Sequence, residues 1–203
     1  MSRYFGVDPG GSGGIASISD VEDGKYLEFI QMPDNERTIW ECLSNTIDPK
    51  TDIAVIEEVS GYMPGKKSIA ADGHEYQKGV APGSTMFTFG QSYGALRMAM
   101  IASGLVESET WFTVRPQEWQ KWVRVYLQSL PESHHAYGTS LLPRDTRGSE
   151  SVSRWKSRLK SVAVSLFPEY RDRITLKTAD AILLAMYCKH NYSGVSSGKS
   201  LWD

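Results

Sequence analysis

A chain of 203 residues with 40% apolar and 11% aromatic side chains is one domain with a substantial core and room for insertions. No apolar run is long enough to cross a bilayer, and the first residues lack the basic-then-apolar layout of a secretion signal. The two cysteines, Cys42 and Cys188, are too far apart and too poorly accompanied for a zinc site or disulfide framework, so a reducing, cytoplasmic setting is expected. Net charge is −2, but it is unevenly spread: residues 1–60 hold twelve acids against four basic side chains, and residues 115–160 hold nine basic side chains against four acids. That asymmetry fits a carboxylate site beside a polyanion-binding surface, and fits equally well two solvated faces.

In chain order, residues 3–8 and 14–19 read as two strands of a hairpin, joined by Asp-Pro-Gly-Gly turn chemistry. "YLEFIQM", 26–32, reads as a third strand, and 35–47 carries Ile39, Leu43 and Ile47 at helical spacing. "TDIAVIEEV", 51–59, is a short apolar run of the kind found in buried strands. Residues 60–83 are rich in Gly, Pro and Lys and read as a long functional or mobile loop. A helix is expected over 84–104 with Ser84 as N-cap and Gly104 as its stop, then a strand over 110–116 and a short helix over 117–124.

Residues 125–150, with His134 and His135, read as a second insertion; 149–168 is an amphipathic helix ended by Pro168, and 177–192 an apolar helix. The expected unit is therefore a single α/β domain over residues 1–192, followed by a flexible tail over 193–203. Three strands followed by alternating strands and helices predict a mixed sheet with helices on its faces.

Three acids lie in apolar surroundings: Asp8 ends the first strand, Glu57 follows Ala54-Val55-Ile56, and Asp180 opens the last helix. A carboxylate placed so costs several kcal/mol unless it is paired or holds a metal. If the first and fourth strands are neighbours and the last helix packs across them, the three converge. Oxygen-only ligands point to Mg²⁺, with Mn²⁺ as a substitute, rather than to zinc. Two such ions about 3.5–4 Å apart can activate a water and stabilise the leaving oxygen of a phosphodiester. Each acid also has an ordinary reading: Asp8 as a turn residue, Asp180 as a helix-dipole partner, Glu57 or Glu58 as a solvated side chain.

"FGVDPGGSGGIA", "AVIEEV", "GQSYG" and "KTADAILLA" occur in the order and spacing of the RuvC-like Holliday junction resolvases, which have the RNase H-like fold. The chain resembles that family over most of residues 3–190, and "VRPQEWQKW" and "RWKSRLKSVAVSLFP" are most similar to its phage and chloroplast-type members. The resemblance implies a five-stranded mixed sheet, favours Glu57 over Glu58, and makes Asp8, Glu57 and Asp180 metal ligands with Lys156 beside the scissile phosphate. It implies a homodimer that nicks branched DNA in a bacterial or phage-infected cell, with no membrane partner. DNA contacts are expected from Tyr62, Lys66, Lys67 and Lys78 in the first insertion, and from Arg154 and Arg158 on the helix of Lys156.

One position departs from the pattern. Family members carry a further acid or His three to five residues before the last Asp; here Lys177 stands three before Asp180. Lys177 either contacts the scissile phosphate or weakens metal binding. The competing readings are a junction-binding protein with an impaired site, and a nuclease of the same fold acting on flaps or RNA–DNA hybrids. An actin-like sugar kinase needs two such domains, more than this length holds.

Overall fold

Alternation of apolar and polar side chains with period two sets the first three strands. The computed structural model describes residues 2–21, 24–59, 66–69, 75–78, 83–130 and 152–194. β1 (Arg3–Asp8), β2 (Gly14–Val21) and β3 (Gly24–Gln31) pair antiparallel in turn, with Asp8 opposite Gly14 and Gly14 opposite Gln31. β4 (Ile53–Glu57) pairs parallel to β1 on its other side, after α1 (Glu36–Thr46) has carried the chain back. α1 starts where Asn35 accepts the Thr38 N–H at 3.0 Å, an ordinary side-chain cap. The strand of Trp111–Val114, β7 in chain order, pairs parallel to β4.

The resulting order, β3-β2-β1-β4-β7, is a mixed five-stranded sheet flanked by helices, as expected of an RNase H-like fold. One face carries α1 and α2 (Gly83–Ala102), packed on Phe5, Val7, Ile15, Ala54, Ile56 and Trp111. The other carries α3 (Pro116–Ser129), α4 (Val152–Leu166) and α5 (Ala179–Tyr192). α5 is buried on nearly every side from Ala179 to Cys188, which is why its sequence is apolar all round rather than striped. It lies on β1 so closely that a Cβ on Gly6 would stand 2.2 Å from the Ala185 nitrogen and 2.3 Å from the Ala181 oxygen. Glycine is what lets backbone touch backbone there.

Far from the turn that follows Asp8, Arg3 and Asp52 lock the starts of β1 and β4. Asp52, 1% exposed, accepts from the Arg3 backbone and guanidinium and from the Asp48 N–H. The same guanidinium donates to the Thr46 carbonyl at the end of α1.

Several boundaries differ from the sequence reading. The 60–83 segment is not simply a loop: β5 (Lys66–Ile69) and β6 (Glu75–Lys78) pair antiparallel, with Lys66 opposite Lys78. α2 begins at Gly83, so Ser84 lies inside its first turn instead of capping it. α3 runs on to Ser129, five residues into the segment read as an insertion, because Tyr126 and Leu127 continue its buried face. No helix among the described residues is long and apolar enough to cross a membrane.

Candidate active site

Strand register answers why an acid ends β1. Val7 pairs with Ile56, so the next residues, Asp8 and Glu57, lie side by side at the ends of two parallel neighbours. Alternation then puts both on the face that carries α5, since Val7 and Ile56 point into the opposite core. Asp180 enters from above, in the first turn of α5. α5 is held there by the Gly6 contact and by Thr178, whose hydroxyl accepts the Thr175 N–H at 3.0 Å. The turn after β1 is shaped around the acid as well: a Cβ on Gly13 would stand 2.0 Å from the Asp8 carbonyl oxygen and 3.1 Å from its carboxyl carbon.

The electrostatics are those of three acids sharing a dry place. Asp8 is pushed up to about 8, first by burial and then by the charges of Asp180 and Glu57. Burial raises Glu57 to about 7, with Asp180 adding to it while a hydrogen bond from Trp119 opposes it. Asp180 rises to about 6 through burial. Lys156 of α4 lowers all three, and its Nζ stands 3.9 Å from Asp180 Oδ2. The other Asp180 oxygen, Oδ1, is buried with no hydrogen-bond partner, an arrangement that native interiors rarely leave uncompensated.

This donor set has the chemistry of a site for a hard divalent cation: three carboxylates, a buried oxygen without a donor, and neither His nor Cys among them. The acids are near enough to raise one another's protonation. Among the described residues, however, no three acidic, His or Cys side chains are gathered closely enough to ligate one ion as they stand. Mutual repulsion between buried like charges opposes tighter approach.

The remaining expected residues fall in different places. Glu58 turns away from the trio and pairs with Arg115 at 3.1 Å, both exposed. Lys177 is exposed and its amine donates to Gln31 at 3.3 Å. Gln31 lies on β3, two strands from Asp8, or about 10 Å at ordinary strand spacing. Arg158 is half-buried on α4, and of Arg154 only the helical backbone is described. Lys66, Lys67 and Lys78 lie on the β5–β6 hairpin, where only the backbone is described; Tyr62, His134 and His135 lie outside the described residues. Phe87 is 68% exposed on α2.

Trp119 is not among the site residues expected from the sequence. It is fully buried, and its indole N–H donates to Glu57 Oε2 at 2.7 Å. The available signal was physical: a buried Trp needs an acceptor for its N–H. A cavity of about 350 Å³ opens beside the β3 edge, lined by Tyr26, Phe29, Leu43 and Arg173 among others. None of the three acids lines it.

No family model matches the sequence, and no curated protein matches it. Among solved structures the chain is similar to "T. thermophilus RuvC in complex with Holliday junction substrate", at 12% identity and a TM-score of 0.43, over 99% of this chain and 100% of that one.

Proposed function

We propose that this protein is a metal-dependent, structure-selective endodeoxyribonuclease that cuts four-way DNA junctions by paired symmetric nicks. The reading rests on one observation: buried Asp8 and Asp180 and half-buried Glu57 are brought from two parallel strands and a helix toward one place, with Lys156 as their shared cation. Asp8, Glu57 and Asp180 would hold Mg²⁺ or Mn²⁺. Two such ions held there would supply an activated water and charge stabilisation for the leaving oxygen, giving 5′-phosphate and 3′-hydroxyl ends. Lys156 would stabilise charge on the phosphoryl group under attack.

Arg154, Arg158 and Lys177, with Tyr62, Lys66, Lys67 and Lys78 of the first insertion, would meet the backbone of the branched DNA. Two opposed cuts require two sites, hence a homodimer. Resolution or debranching during recombination or phage DNA packaging is the setting that the sequence resemblance implies.

The test is cleavage of a labelled four-way junction beside linear duplex, flap and RNA–DNA hybrid, in Mg²⁺ or Mn²⁺, with Asp8→Asn as control. Paired symmetric nicks that vanish in Asp8→Asn are expected. Cutting only flap or hybrid would keep the carboxylate site and discard the junction as substrate.

A second reading follows from Lys177, which stands three residues before Asp180 where the resemblance expects a further acid or His. A junction-binding protein with an impaired site would bind the four-way junction tightly and leave it intact in every metal.

A further inference from the structure

Among the described residues, Glu57 alone of the three acids has an uncharged side-chain donor on its carboxylate. Trp119 Nε1 lies 2.7 Å from its Oε2 across 62 residues of sequence. The neighbouring residue of α3, Glu118, accepts the Tyr187 hydroxyl of α5 at 2.7 Å. Successive residues of α3 thus grip the strand that carries Glu57 and the helix that carries Asp180. Pro116 at the start of α3 and the burial of Trp119 and Val123 fix that helix against the sheet.

The identity of the donor matters. An indole N–H has a single proton to give, accepts nothing in return and does not titrate in any range where proteins fold. It can fix a carboxylate's orientation without cancelling its charge. A Lys or Arg in that place would neutralise part of the field that draws a dication, and a His would compete as a ligand. With one oxygen held by the indole, Glu57 is biased to ligate through the other.

Resting on the nuclease reading above, we infer that Trp119 is the positioning residue of Glu57, holding Oε2 so that the carboxylate meets a divalent cation in one fixed orientation at no cost in charge. Partners of this kind behind a metal-ligating carboxylate are typically worth about 10–100-fold in affinity or activity.

Trp119→Phe keeps the ring and removes the donor. Mn²⁺ binding, read from the electron paramagnetic resonance of the free ion, is expected to weaken about 10–100-fold in this variant. Its metal-free melting point should stay within about 4 °C of wild type, and raising Mn²⁺ should restore junction cleavage, a rescue that a merely structural role would not give. Asp8→Asn separates the two levels of the argument. Equal Mn²⁺ binding by wild type and Asp8→Asn overturns the metal site and this inference with it. Loss of binding in Asp8→Asn with wild-type binding in Trp119→Phe overturns the role of Trp119 alone.

If Trp119→Phe does not fold, the indole ¹⁵N–¹H spectrum of the wild-type protein decides. One resonance should move both on adding Mg²⁺ and in Glu57→Gln, and the absence of such a resonance overturns the inference.

Discussion

Lys156 and Asp180 meet across the packing of α4 on α5, Nζ 3.9 Å from Oδ2, and the same ammonium also lowers the protonation of Asp8 and Glu57. One cation is therefore shared among three acids that arrive from three different elements. Lys156→Met leaves those acids without it, so all three should keep their protons to higher pH. Single-turnover cleavage should fall about 10²–10³-fold, and what remains should have its pH profile displaced upward. Lys156→Arg should recover part of the rate. An unchanged profile in Lys156→Met would remove Lys156 from the site.

The metal-free protein should lose stability as pH rises. In the unfolded chain Asp8, Glu57 and Asp180 titrate near 3.8, 4.5 and 3.8, and in the folded protein near 8, 7 and 6. Between about pH 4 and pH 8 the native state therefore binds more protons than the unfolded state, and stability falls across that window. Urea midpoints in EDTA should be lower at pH 8.5 than at pH 5. Mg²⁺ should raise the midpoint, and more at pH 8.5, where it has fewer protons to displace. A higher midpoint at pH 8.5 in EDTA would contradict the raised protonation of the three acids.

Adjacent glutamates provide an internal control. Glu57→Gln should abolish cleavage. Glu58→Gln removes only an exposed pair with Arg115, so its cleavage rate should stay within about twofold of wild type and its stability within about 0.5 kcal/mol. Both are read in the same junction assay and urea titration. The reverse ranking would mean that the strand presents the other acid.

Asp52 tests the opposite end of the sheet. It is 1% exposed and accepts several hydrogen bonds, including those of Arg3. Asp52→Ala should cost about 3 kcal/mol, near the low end for breaking a buried pair, because Arg3 keeps some access to water. Equilibrium urea unfolding measures this directly. Below the unfolding transition, Mn²⁺ affinity should be unchanged, which separates loss of fold from loss of site.

Much of this architecture is written locally. Alternation and Asp-Pro-Gly-Gly turn chemistry mark β1 and β2, and the apolar run ending in Glu57 marks β4. Parallel pairing of β1 with β4 then follows from the helix between them. Asp8, Glu57 and Asp180 stood out because an acid inside an apolar run conflicts with its surroundings. Trp119 did not stand out, because a Trp on the apolar face of a helix conflicts with nothing, and its acceptor lies 62 residues away.

Lys177 is close to Asp180 in sequence, but the chain turns into α5 between them and its amine reaches β3. The 60–83 segment was hardest to read, since four-residue strands carry too few residues for alternation to register.

Gly6 sets the span of the carboxylate site without belonging to it. Because α5 rests directly on the β1 backbone at that residue, the separation of Asp8 from Asp180 is gauged by two main chains in contact, with no side chain between them to flex or repack. A single added methyl would act as a shim, lifting the helix and carrying Asp180 off while every acid and the lysine remained in the sequence. In a screen for lost activity, Gly6 would therefore score like a member of the site, although it donates, accepts and ligates nothing through a side chain.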